Sequence, residues 1–346
     1  MSKKSAIKTS LFAAEEREKK LDRKGDLLSM LETHVSFSAL AAEIDRIAPR
    51  PSSKQGGRPP YPTELMVRVL VLRHLYNLSD EALEYQLLDR LSFQRFCGLR
   101  HSSSIPDANT LWVFRERINA AGGADALFDA VQRQLQQHGF IARGGQIVDA
   151  TLVEAPRQHF RKVEKEKLEQ GETPPEWTDA QRCQKDTEAS WTKKHGKSHH
   201  GYKLSISADR KYKLIRKRHV STAKEHDTNH FENVLDPANT SRDIWADKGY
   251  EDKAREQRLQ QNGWRLYIQH KAKRGKPQSE CQKRRNTRIA KPRARVEHVF
   301  GAMSAMGGKL IRSIGLARAE FNLSIKAAVY NLRRLCSLKE GGVVPI

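Results

Sequence analysis

Three carboxylates sit in contexts that an ordinary surface acid does not occupy. Asp149 interrupts the β-branched, apolar run Ile147-Val-Asp-Ala-Thr151. Asp247 closes the short stretch Ile244-Trp-Ala-Asp and is followed by the turn Lys-Gly-Tyr250. Glu297 stands on a helix expected to start at Pro292, since proline is favoured in a first helical turn. On that helix Val296, Phe300 and Met303 recur at i, i+4 and i+7, which marks the core-facing side, and Glu297 flanks it. An acid on a strand is costly unless it is paired or bound to a cation. Three carboxylates at one sheet edge repel each other, and Mg²⁺ or Mn²⁺ relieves that repulsion. Magnesium takes a few carboxylates and leaves positions for water and phosphate. Two such ions can activate an attacking oxygen and stabilise the leaving oxygen of a phosphodiester. The chemistry suggested is metal-dependent reaction on nucleic acid, with Mg²⁺ as cofactor and Mn²⁺ as its substitute.

These residues need a sheet to hold them, and the pattern after Gly144-Gly145 supplies one. Gln146–Val153 is a buried-strand signal, and His200–Ser207 alternates like a second strand. Lys213–Val220, Arg242–Asp247 and Trp264–Gln269 read as three more. Glu251 to Gln261 is a charged helical pattern stopped by Gly263, and two helical patterns follow Pro292. Three strands, then strand, helix, strand and terminal helices predict an α/β fold, a mixed sheet flanked by helices. Residues 157–198, with ten Lys/Arg and eight Asp/Glu, read as an insertion or mobile loop.

The region before the sheet is predicted to be helical. Leu65, Val69, Leu72 and Tyr76 share one helix face. Ser79 and Asp107 are expected helix caps, and Gly122-Gly123 a helix break. Residues 1–60 read as an arm ending in the basic, turn-rich linker Pro49–Pro60; 61–140 as a helical DNA-binding or assembly domain; 141–340 as the catalytic domain.

Composition narrows the partners. Of 346 residues, 63 are Lys or Arg and 41 are Asp or Glu, a net charge of +22. A surplus of that size points first to nucleic acid and second to an anionic membrane. No apolar run approaches 18 residues, so no membrane span is expected. The start, Met1-Ser-Lys-Lys, reaches no apolar h-region, and Cys97, Cys183, Cys281 and Cys336 form no C-x-x-C pair, so a reduced, cytoplasmic protein is expected. Residues 271–295 hold eleven Lys/Arg against Glu280 alone, a phosphate-tracking composition.

Several side chains have two readings. Lys203, Arg293 and Arg295 are candidates for DNA phosphates, as is Lys248. Lys203 is otherwise a solvated strand lysine, Lys248 a counter-charge to Asp247, and Arg293 a partner of Glu297. His195, His199, His200 and His219 lack a cysteine in zinc-ligand spacing and are read as surface or DNA-facing. Glu154 and Asp243 are the acids nearest in context to the first two candidates, with Asp243 expected to be exposed. Trp112, Trp245 and Trp264 are expected in the core, and Trp191 is the better base-stacking candidate.

Four segments in order carry a family resemblance: Ile147-Val-Asp-Ala-Thr, His200-Gly-Tyr-Lys203, Ala246-Asp-Lys-Gly-Tyr250 and Arg293-Ala-Arg-Val-Glu-His-Val-Phe300. With Pro106–Arg115 upstream, the chain over roughly 60–335 resembles bacterial insertion-sequence transposases of the DDE type, in the broad group around insertion sequence 5. The resemblance implies an RNase-H-like core with Asp149, Asp247 and Glu297 as the metal-binding triad. It implies cutting at the terminal inverted repeats of an element, then attack of the freed 3′-OH on target DNA. It also implies at least a homodimer on DNA. Where the related signature has a tyrosine and a lysine, this chain has Ala290 and Ser304, and Lys309 is the candidate to replace that lysine. Two other readings share these residues: a metal-dependent nuclease that never joins ends, and an inactive, element-derived DNA-binding protein.

Overall fold

Short-range signals begin many of the helices. Ser79 Oγ accepts the Ala82 amide at 3.1 Å, and Asp107 Oδ1 accepts that of Thr110 at 2.6 Å, as expected of helix caps. The computed structural model describes residues 10–50, 59–194, 196–272, 275 and 277–345. The helices ahead of the sheet are α1 (Ala13–Lys24), α2 (Leu27–His34), α3 (Phe37–Ile47), α4 (Thr63–Leu75), α5 (Asp80–Asp89), α6 (Leu91–Phe96), α7 (Ala108–Ala120) and α8 (Gly123–Gln137). Then come β1 (Gln146–Glu154), α9 (Lys162–Glu169), α10 (Asp179–Gln184), β2 (Ser190–Lys194), β3 (Lys197–Asp209), β4 (Ile215–Thr222) and β5 (Asp243–Ala246). The chain closes with α11 (Lys253–Gln261), β6 (Arg265–Ile268), α12 (Glu280–Ala305) and α13 (Leu316–Glu340).

The sheet is mixed. β3 is antiparallel to β1 on one side; on its other side β2 pairs with its first residues and β4 with the rest. Gly201 sits at that changeover with φ +152°, and a Cβ there would lie 2.2 Å from the Val153 carbonyl oxygen, so the position requires glycine. β5 and β6 continue the sheet beyond β1 in parallel. Val148, Ile244, Ala246 and Ile268 point to one core, with Phe231 and Leu259. Ile147, Trp245, Leu204 and Ile206 point to the other, which α12, α13 and the upstream helices share. Among the described residues, no helix is long and apolar enough to cross a membrane.

The structure corrects several sequence expectations. Residues 27–47, read as part of an arm, form α2 and α3, whose Leu28, Leu31, Phe37, Leu40 and Ile44 are buried in the main core. Residues 51–58 of the linker lie outside the described residues. α4 is buried nearly all round rather than along one stripe, because α3 and α13 both pack on it. The 157–198 segment contains α9, α10 and the edge strand β2, and Asp186 within it accepts the Tyr202 hydroxyl at 2.8 Å, which pins it to β3. The helix expected to begin at Pro292 starts at Glu280, because Ser279 and Gln282 form a capping box; Pro292 costs one backbone bond without ending it. Trp245 and Trp264 are buried as expected, but Trp112 is 47% exposed on α7.

Candidate active site

β1 and β5 are parallel, with Gln146 opposite Ile244 and Ile147 opposite Trp245. β5 ends at Ala246, so Asp247 opens the turn just beyond it, close enough to Asp149 for its charge to act there. Strand alternation puts Asp149 on the face of Ile147, the face that α12 covers. Arg293 of α12 reaches down to this edge. Its Nη2 donates to Asp149 Oδ2 at 3.3 Å and its Nη1 to Gln269 Oε1 at 3.0 Å. The Ala150 amide donates to Asp149 Oδ1 at 2.9 Å. Asp247 Oδ1 accepts the Gly249 amide at 2.7 Å, and a Cβ on Gly249 would lie 2.9 Å from that oxygen, so the Lys-Gly-Tyr turn folds back tightly.

Burial pushes the Asp149 carboxyl up to about 6; Arg293, the Ala150 amide and Lys194 oppose the rise, and the Asp247 charge adds to it. The Tyr250 hydroxyl is buried without a hydrogen-bond partner, and burial, Asp149, Asp227 and Asp247 all hold its proton on. Lys194, Gln269 and Tyr250 have no role in the sequence reading. Tyr250 lay inside a quoted motif, whereas Lys194 was hidden in the segment read as an insertion.

Glu297 is exposed and stands four residues beyond Arg293, about 6 Å along the helix on nearly the same face. Among the described residues, no three His, Cys, Asp or Glu side chains converge as a metal site. Asp149 and Asp247 come together; Glu297 lies on the helix that spans them. Arg295 donates to the Arg210 carbonyl, Lys248 is exposed, and Lys309 is exposed at a groove of about 580 Å³ lined also by Lys194 and Lys197. Lys203 is neither solvated nor free: its ammonium lies 2.8 Å from Asp227 Oδ1 and donates to the Glu225 carbonyl. Glu154 pairs with His199 at 2.9 Å, and Asp243, expected to be exposed, is largely covered and bound to Arg265. His219 stacks on His230, and His195 lies outside the described residues.

Two family models match the chain. One, a transposase domain (DUF772), covers residues 15–117; the other, the transposase DDE domain, covers residues 142–332, more than half of the chain. The chain belongs to the DDE transposases. Among solved structures it is similar to a piggyBac transposase synaptic complex with hairpin DNA, at 14% identity and a TM-score of 0.47, over 92% of this chain and 76% of that one. As a DNA transposase it belongs to a family whose chemistry depends on divalent metal. The donor chemistry of the edge fits such an ion. Asp149 and Asp247 offer hard oxygens, and among the described residues the buried Tyr250 hydroxyl near them has no hydrogen-bond partner.

Proposed function

We propose that Asp149, Asp247 and Glu297 hold the divalent cations of this transposase, with Mg²⁺ as the working ion and Mn²⁺ able to replace it. The observation that carries this reading is the nearness of Asp149 and Asp247, whose charges act on each other at the β1–β5 edge, with α12 bringing Arg293 onto Asp149. When bound, the cations supply activation of the attacking oxygen and stabilisation of the leaving one. The rest falls to the chain. Burial keeps Asp149 an avid acceptor of positive charge, Gly249 orients the Asp247 carboxylate, and Arg293, braced by Gln269, positions Asp149. Glu297, one turn beyond Arg293 on nearly the same face of α12, completes the donor set.

Lys248, Arg295 and Lys309 are proposed to meet DNA phosphates beside the edge. Lys203 instead holds the 225–227 turn through Asp227. The transposase cuts at the terminal inverted repeats of its element and joins the 3′-OH ends to target DNA at the bacterial nucleoid. Two ends must be handled together, so it works as a homodimer or larger assembly on DNA. In this reading residues 61–140 serve DNA binding and assembly, and 141–340 catalysis.

The test is cleavage and joining of labelled DNA carrying the gene's own flanking ends, in Mg²⁺, by wild type and Glu297→Gln. Joined products from wild type alone support the triad. Cleavage without joining turns the reading to a nuclease. Metal-independent binding without breakage, by a folded protein, turns it to a DNA-binding protein.

A further inference from the structure

Away from the carboxylate edge, a cleft of about 450 Å³ opens between the upstream helices and the connection from α12 to α13. Its lining includes Arg73, His74, Trp112, Arg115, Arg312 and Lys326. The charges here do not balance locally. Asp80 pairs with two guanidiniums, Arg73 at 2.8 Å and Arg115, with the Glu81 charge acting on both from farther away. Glu116 is taken by Arg318 at 2.9 Å, and Glu81 turns back to Ser79 and its own amide at the rim. Among the described residues, Arg312 donates to the Asn77 carbonyl at 3.2 Å. The Lys326 ammonium donates to the Met306 carbonyl and to Asn77 Oδ1. Among the described residues, neither Arg312 nor Lys326 has a carboxylate within ion-pair distance.

The cations therefore repel one another. Burial, then Arg73 and Arg312, bring the Lys326 ammonium down to about 8; burial, then Arg115, lower Arg73, with Arg312 adding to it. Two nitrogens in the lining, His74 Nε2 and Arg115 Nε, are buried without a hydrogen-bond partner, on side chains of residues 2% and 8% exposed. The unused Arg115 N–H, beside cations without a carboxylate partner, is what an anion would satisfy, and His74 Nε2 can join it in the tautomer that carries its proton there. Trp112 stands three residues before Arg115 on α7, on the same helix face, with its ring open to solvent at the cleft. An aromatic face next to fixed positive charge is the combination that holds a nucleotide unit of a strand.

The cleft is also tied to the catalytic edge. Glu154, at the end of β1, exchanges backbone hydrogen bonds with Lys309 and Ile311, and the segment that follows lines the cleft. Five residues of β1 separate Glu154 from Asp149, roughly 17 Å, on the order of five base steps of a strand. We propose that this cleft binds one nucleotide of the transposase's DNA away from the reacting phosphate, with its phosphodiester against Arg312 and Lys326 and its base against Trp112. The proposal rests on the reading that DNA reacts at the Asp149–Asp247 edge.

The test is anisotropy of labelled element-end DNA from 50 to 200 mM salt, with wild type, Arg312→Ala, Arg312→Lys and Trp112→Ala, each first shown to melt as wild type does. Arg312→Ala should flatten the log–log salt slope by about 0.9, and Arg312→Lys should restore it. Trp112→Ala should weaken binding about fivefold to a hundredfold with the slope unchanged. Wild-type affinity and slope in both alanine variants would overturn the proposal. So would a melting-temperature rise with inorganic phosphate or dAMP, lost in Arg312→Ala but not displaced by DNA, since the cleft would then serve a free ligand. Failure of the triad reading looks different: wild type would not cleave in Mg²⁺, while the binding losses of the variants would persist.

Discussion

Two aspartates in the same sheet, Asp149 on β1 and Asp209 at the end of β3, are both pushed up by burial and both paired with an arginine, yet they are supplied with donors to different degrees. Asp209 is 0% exposed and saturated with donors: the Tyr212 amide at 2.6 Å, the Leu214 amide at 3.2 Å and the Arg216 guanidinium at 3.1 Å. Arg216 in turn reaches Gln132 and the Phe140 carbonyl, so the pair fastens the sheet to α8 and the connection after it. Asp149 has one backbone amide and one guanidinium at 3.3 Å, with a second aspartate beside it. A carboxylate that serves the fold is given every donor it can use. In the proposed reading Asp149 is left with fewer donors, so that a cation can complete its shell.

The largest effect that can break this comparison is on activity. Asp149→Asn, Asp247→Asn and Glu297→Gln should each lower Mg²⁺-dependent cleavage by on the order of 10³-fold or more, about 4 kcal/mol of barrier, with unchanged or raised melting temperature. Gel assays of end cleavage beside thermal melts check this. An active Asp149→Asn variant would remove Asp149 from the site.

Asp209→Asn should do the reverse. It leaves Arg216, 4% exposed, as an uncompensated buried charge, at a cost of about 3–5 kcal/mol. Urea unfolding followed by circular dichroism measures it. A loss under about 1 kcal/mol would mean that the donors around Asp209 do not distinguish it from Asp149.

The third effect is a pH dependence. Asp149 binds its proton more tightly folded, near pH 6, than unfolded, near its ordinary 3.8. The folded state is therefore favoured at low pH, and this contribution is lost as pH rises from about 4 to about 6, by about 3 kcal/mol in all. In chelator-containing buffer, the stability of wild type relative to Asp149→Asn should fall across that window and stay flat above it. A difference independent of pH would show that burial does not push the Asp149 carboxyl up.

The parts of this design that rest on local chemistry were legible. The caps Ser79 and Asp107, the stop at Gly263 and the strand around Asp149 each follow from a few adjacent residues. The placing of Asp149 in, and Asp247 at the end of, an apolar run is likewise read from adjacent residues, because an acid there is anomalous by itself. What escaped depends on distant partners. Lys203 alternates like a solvated strand lysine, and only the fold brings Asp227 to it. Nothing near Asp209 announces that Arg216 and two amides converge on it. The segment 157–198 looks like a mobile loop by charge, yet Asp186 anchors it through Tyr202. Pro292 is a reasonable helix start until a stronger cap, thirteen residues earlier, overrides it.

The smallest expected effect comes from the strand that leads to Asp247. Asp243 lies four residues earlier on β5, so strand position alone does not separate the two. Their donors do. Asp243 accepts from Arg265 at 2.5 Å and from the Ser241 hydroxyl at 2.9 Å, and these hold its carboxyl below the usual range despite its partial burial. It is neutralised at the end of the strand away from the reacting edge, by an arginine 63% exposed. Asp243→Asn should therefore keep wild-type cleavage and cost no more than about 1 kcal/mol, the range of a largely solvated pair. End-cleavage rates and urea midpoints for Asp243→Asn and Asp247→Asn, measured side by side, set the two against each other. If Asp243→Asn also abolished cleavage at unchanged stability, the supply of donors would no longer tell a structural carboxylate from a catalytic one on this sheet.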